Sequence, residues 1–287
     1  MNLKLKKERN EHMSKKIVMT IMLGMNRFTE KDTQHPFDMS HAETFNKIWL
    51  PQISEIEKTC STPIYEMTKT LDEFIIQYNT ENPDIDQITK DDILVIIGRG
   101  TIGSGSEEYL SEALLEARRS YGHNAFFVFY TKSFGTVDTL RALDILNNQN
   151  CRFSAHLLFC IDGYATPISK ASVSKIYRHK NKKERRLIIP RNVKLAYGIV
   201  QRRKGFKGLQ IGAFHDSRCK NFVIRSKDTK GFEYTKYIDG YKRKLDVCHF
   251  NMEEIVSTIK CYKYNNNLYT INELLKIYCK KYMLGKI

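Results

Sequence analysis

A mostly parallel sheet covered by helices on both faces, the three-layer α/β arrangement, is the fold expected of this chain of 287 residues. Three observations lead there. Short apolar runs at residues 93–97, 125–130 and 155–161 suit strands buried on both sides. Between them, residues 107–120 and 137–146 place apolar side chains at helical spacing. The connections are short, and strand–helix alternation joined by short turns builds a parallel sheet.

Taken in order, residues 1–15 are polar and basic and are expected to form a disordered tail. Residues 16–287 are expected to form one domain, since 41% hydrophobic content suffices for a packed core. Ile17–Leu23 makes the first strand, closing on Gly24, Met25 and Asn26. This run resembles a signal-peptide core, but no small-residue cleavage site follows it. No apolar stretch reaches the ~18 residues of a membrane span. Ser40-His41-Ala42-Glu43 has the capping-box pattern, predicting a helix that carries Phe45, Ile48, Trp49 and Ile53. A further helix is expected at 71–78, broken by Asn82-Pro83-Asp84.

The strand at 93–97 runs straight into Gly98-Arg99-Gly100-Thr101-Ile102-Gly103, which matches the G-x-G-x-x-G dinucleotide fingerprint. Such a site also needs an acidic residue near the end of the next strand to hold the ribose. That strand ends Tyr130-Thr131-Lys132, and the following helix opens on Glu107-Glu108, which repels a pyrophosphate. No cofactor is therefore expected. After 155–161, residues 163–190 form a polar, basic insertion above the sheet edge. Residues 188–193 and 197–201 are expected to start a strand or a helix, with strands at 209–214 and 221–224. A polar loop leads to Asp246, then helices at 253–262 and from the Thr270-Ile271-Asn272-Glu273 cap to about residue 282.

Seven cysteines, an odd number without a C-x-x-C pair, point to reduced thiols rather than a disulfide framework or a metal site. A cytoplasmic compartment, with peripheral contact to a membrane, is the corresponding expectation; secretion as an effector stays open. The net charge of +15 calls for an anionic partner. Anionic membrane surfaces and nucleic acids would both be attracted; basic blocks at 178–186 and 202–207 sit in expected loops rather than along one aromatic-lined face, which weakens the nucleic-acid reading.

The decisive stretch runs from Ala125 to Leu146. An apolar strand becomes an amphipathic helix across Thr131-Lys132-Ser133-Phe134-Gly135, so the chain must bend sharply at Ser133. This segment resembles the nucleophile elbow of the α/β-hydrolases, G-x-S-x-G between strand and helix. Thr131 stands where that pattern has its first glycine, so either the elbow is relaxed or a small neighbour compensates. The plain alternative is a βα turn in which Ser133 only caps its helix.

The resemblance implies a chain order of nucleophile, acid, histidine, and Ser133, Asp162 and His249 occur in that order. Asp162 follows the strand after the elbow, at the same edge of a parallel sheet, and the alternative acid is Asp216 with His215 as alternative base. The oxyanion is expected on the Phe134 N–H and on one glycine loop, either Gly98 and Gly100 or Gly24 and Met25. The implied activity is that of a lipase- or esterase-like serine hydrolase acting on an acyl ester or thioester. Its competitors are a degenerate hydrolase fold that only binds a partner and a basic nucleic-acid-binding protein.

Overall fold

The computed structural model describes residues 15–23, 46–49, 62–99, 106–122, 124–149, 151–163, 177–181, 184–201, 216–224, 234–238, 241–245, 252–260 and 262–287. A seven-stranded sheet organises them. It consists of β1 (Ile17–Leu23), β2 (Asn46–Trp49), β3 (Ile93–Arg99), β4 (Phe126–Lys132), β5 (Ala155–Ile161), β8 (Val193–Gln201) and β9 (Cys219–Ile224), after the pair β6 (Tyr177–Asn181) and β7 (Glu184–Leu187). The spatial order is β2-β3-β1-β4-β5-β8-β9. Every pairing is parallel except that of β2 with β3.

Helices cover both faces. α1 (Thr62–Glu81), α4 (Met252–Thr258) and α5 (Ile271–Met283) bury Leu71, Ile255 and Leu275 against the face that presents Met19, Val128 and Phe159. α2 (Ser106–Tyr121) and α3 (Phe134–Asn148) bury Leu114, Leu140 and Leu143 against Val18, Phe129 and Leu158. β4 lies near the middle, and all seven of its residues are buried. That is why its sequence is a continuous apolar run instead of an alternating one.

The chain moves from β1 outward to β3 through α1, then back across β1 to β4 through α2, which lies on the opposite face. Right-handed crossovers require this change of face when the direction of travel reverses. The reversal opens a crevice at the carboxyl ends of β1 and β4, the position where open α/β sheets bind ligands.

Several expected elements differ. Residues 46–49 form an antiparallel edge strand, Asn46 opposite Ile97 and Trp49 opposite Leu94, not the helix that Ser40 to Glu43 suggested. A helix continuing to Ile53 would enclose Pro51, whose ring and missing N–H break helices. α1 begins at Thr62, nine residues before the expected start, with Pro63 in its first turn where no donor is lost. β3 continues through Gly98 to Arg99. Val193–Gln201 is one strand of nine residues. The last part contains two hairpins in place of a loop and a helical end: β10 (Tyr234–Ile238) with β11 (Tyr241–Leu245), and β12 (Tyr262–Tyr264) with β13 (Asn267–Tyr269). The two-residue turn Asn265-Asn266 closes the second, and both asparagines adopt the positive φ such a turn needs. Lys15 belongs to the fold rather than to a tail, its Nζ donating to the Met283 carbonyl at the end of α5. Residues 1–14 and the strand expected at 209–214 lie outside the described residues.

Candidate active site

Ser133 stands between β4 and α3 with φ 55° and ψ −127°. Side chains with a Cβ rarely adopt this conformation, and residues held there cost about 1–3 kcal/mol. The surroundings that enforce it are on both sides of the bend. Before it, β4 is locked between β1 and β5, with Thr131 level with Met22 and Cys160. After it, the first turn of α3 lies so close to β1 that a Cβ on Gly135 would come within 2.4 Å of the Met22 carbonyl oxygen. Only glycine permits this approach, and the approach fixes where the helix must begin. The Ser133 N–H donates to the Ile161 carbonyl (3.2 Å), tying the bend to the end of β5.

Thr131 does not relax the bend. Its hydroxyl donates to the Phe159 carbonyl (2.9 Å) and meets the Thr136 hydroxyl at 3.1 Å, so its extra atoms are absorbed by hydrogen bonds. A plain helix cap is also excluded as a description of Ser133. Its side chain makes no capping bond, and its φ has the wrong sign for an N-cap.

Asp162 is the next residue after Ile161, so the Ile161 carbonyl that holds Ser133 also sets the start of the Asp162 turn. Asp162 is fully buried with φ 41°, and its N–H donates to the Ile199 carbonyl at 2.7 Å. A residue serving only as a turn former would sit in water. Its Oδ2 accepts from Gln201 Nε2 at 3.3 Å, and Gln201 is itself buried at the end of β8. Lys132, the last residue of β4, is 2% exposed and by strand alternation shares its face with Tyr130. The carboxyl ends of β4, β5 and β8 thus bring Lys132, Ser133, Asp162 and Gln201 to one edge. The sequence reading missed Gln201 and Lys132, although a polar residue closing an otherwise apolar strand is a visible signal in both cases.

Asp216 is at the other edge. It precedes β9, a parallel strand, so it lies at the amino-terminal side of the sheet, away from Ser133. Both its carboxylate oxygens accept from Arg218, and the guanidinium holds the carboxyl below its usual range. Arg218 also donates to the carbonyls of Ile189, Pro190 and Val193. The pair is a structural staple for the turn into β8, and Asp216 is no candidate acid. Gly98 is likewise displaced from its expected role: it is a strand residue opposite Met22 instead of part of a loop. β3 is also one strand further from β4 than β1 is. Gly24, Met25, Gly100, His215 and His249 lie outside the described residues. Comparisons of the chain with protein-family models, curated proteins and solved structures find no match.

His156, partly buried on β5, packs its ring against Phe126 and Tyr282. Its Nδ1 accepts from the Phe127 N–H (3.2 Å), and burial, helped by Lys194, pushes its pKa down to about 4. It lies at the start of β5, far along the strand from Asp162. No group of His, Cys, Asp and Glu among the described residues could hold a metal ion, and no described helix is long and apolar enough to cross a membrane.

Proposed function

We propose that the protein is a serine hydrolase of acyl esters or thioesters with Ser133 as nucleophile. The observation that carries this reading is the backbone of Ser133. A strained, positive-φ serine between a central strand and a helix, at the crevice where the sheet reverses direction, serves no purpose in folding that glycine would not serve better. It does hold a hydroxyl above the sheet edge, beside the first N–H groups of a helix.

In the proposed reaction Ser133 Oγ attacks the carbonyl carbon while an imidazole takes its proton. His249 supplies that imidazole: it lies three residues before α4, which packs on the sheet face shared with Lys132. Asp162 holds the imidazole and stabilises its charged form, and Gln201 fixes the carboxylate. The Phe134 N–H, with one from the Gly24–Met25 loop, receives the negative oxygen of the tetrahedral intermediate. Collapse of that intermediate releases the alcohol or thiol, protonated by the imidazolium, and leaves an acyl-serine. Water, deprotonated by the same imidazole, then releases the acid and restores Ser133. A fluorophosphonate probe tests this. Wild-type protein is expected to be labelled, with labelling abolished in Ser133→Ala and strongly reduced in His249→Ala. An unlabelled but folded wild-type protein would overturn the hydrolase reading.

A further inference from the structure

Four charged side chains are buried among the described residues: Lys132, Asp138, Arg141 and Asp162. A buried charge is costly unless an opposite charge or strong hydrogen bonds offset it, so each of the four calls for compensation. Asp138 and Arg141 find theirs between α2 and α3. Arg141 Nη1 lies 3.8 Å from the Asp138 carboxylate and donates to Glu107 at 3.3 Å. Lys132 and Asp162 are the other two, one cation and one anion, at the ends of adjacent strands.

Strand alternation places them on one side of the sheet. Tyr130, Ile161 and Ile199 belong to the core on the side of α1, α4 and α5. Lys132, two residues after Tyr130, falls on that side, level with Ile161, and Asp162 comes next after Ile161. Gln201, two residues after Ile199, falls there too, and its hydrogen bond to Asp162 Oδ2 brings the carboxylate to the same side. Toward the middle of the sheet that side presents Val128, Phe159 and Tyr197, so the charged and amide groups stand at the Ser133 end.

A methionine at position 132 would fill similar space, and replacing a buried ion pair by apolar side chains is often neutral or stabilising. What lysine adds is charge. Gln201 is neutral, so its hydrogen bond orients the Asp162 carboxylate without offsetting its charge. Charges inside a protein are weakly screened, so an ammonium on the next strand acts on that carboxylate without needing a direct hydrogen bond.

We propose that Lys132 is a positioning residue of the site: its buried ammonium offsets the Asp162 carboxylate and keeps it turned toward the imidazole that serves Ser133. The positioning role rests on the serine-hydrolase reading. The charge compensation does not, because it follows from burial and register and is measurable without chemistry. Removing the ammonium alone leaves an uncompensated charge in the interior, which turns to water or to another donor and releases the imidazole. Neutralising both residues together removes that conflict.

The test is a double-mutant cycle on the full chain with Lys132→Met and Asp162→Asn, read by the urea midpoint and by the rate at which the fluorophosphonate labels Ser133. At saturating probe, Lys132→Met is expected to be labelled about 10-fold or more slowly than wild type, with the half-saturating concentration within about 2-fold, since orientation rather than probe binding is lost. Lys132→Arg keeps the charge and should recover most of the rate. In the Asp162→Asn background, Lys132→Met should change the rate by less than about 2-fold, and the double variant should lose less in urea midpoint than the two single losses added. If Lys132→Met alone does not fold, the double variant is expected to be recovered as soluble protein. A double variant that is insoluble where Asp162→Asn is soluble would overturn the compensation. Losses that add, in rate or in midpoint, in a protein that the probe labels would overturn the role of Lys132 and leave the hydrolase reading intact. A wild type that the probe does not label ends the hydrolase reading and the positioning role together, while less-than-additive midpoints would still establish the compensation.

Discussion

α3 and α5 each have a hydroxyl residue at the N-cap, and they begin in opposite ways. α5 opens on Thr270, with φ −77° and ψ 169°; its hydroxyl accepts from the Glu273 N–H, and the Glu273 carboxylate accepts from the Thr270 N–H at 2.7 Å. Each group there satisfies a neighbour, and the geometry is relaxed. α3 opens on Ser133, whose backbone is strained and whose side chain makes no capping bond. The first is what local chemistry selects when a helix only has to start. The second departs from that preference with an unstrained solution available elsewhere in the same chain, and the departure coincides with the crevice at the ends of β1 and β4. Strain that a fold could have avoided is a sign of use.

The contrast can be broken most forcefully at Gly135. Gly135→Ala should cost several kcal/mol or prevent folding, because the new methyl meets backbone rather than a movable side chain. Solubility and the urea midpoint report it; a midpoint within experimental error of wild type would mean that α3 does not need its close approach to β1.

Acidification gives the next largest effect and separates stability from chemistry. His156 is neutral in the folded protein down to about pH 4, whereas in the unfolded chain it takes up a proton below about 6.5. Between those values the unfolded state binds more protons, so the folded state loses stability as pH falls through that window. Between pH 7 and pH 5, wild type should lose about 2 kcal/mol more than His156→Phe. Parallel pH–stability curves for the two proteins would refute this. An activity loss in the same range that survives in His156→Phe belongs to the site.

At Ser133 itself, glycine should be better tolerated than alanine. Ser133→Ala keeps the unfavourable backbone, and Ser133→Gly relieves it at some entropic cost, so the glycine variant should be the more stable by about 1 kcal/mol. Neither should react with the probe. If alanine proves the more stable, the bend is not a reservoir of strain. The smallest expected effect is at the relaxed helix start: Thr270→Ala should cost about 1 kcal/mol and leave probe labelling unchanged.

Much of this was legible from residue order. Ile17–Leu23 and Ala155–Ile161 coincide with observed strands, because strands buried on both faces write themselves as unbroken apolar runs. The Thr270 cap was equally clear, since a capping box is contained in four consecutive residues. Residues 46–49 were not legible. A four-residue edge strand gets its identity from its partner β3, and the capping pattern upstream of it was the louder local signal. The β10–β11 and β12–β13 hairpins were missed because lysine-rich and asparagine-rich stretches score as loops, although their ladders hold them as strands.

For the site, the sequence by itself determined the nucleophile candidate, the carboxylate one strand later and the histidine beyond it, since side-chain type and chain order are all those assignments require. Only the tertiary structure decided which carboxylate shares an edge with Ser133. Asp162 and Asp216 both flank strands, and only sheet topology tells a residue that follows a parallel strand from one that precedes it. It also decided that Gln201, 68 residues after Ser133, belongs beside Asp162. Hydrogen bonds between strand ends depend on spatial order, and spatial order is settled by how the whole sheet packs.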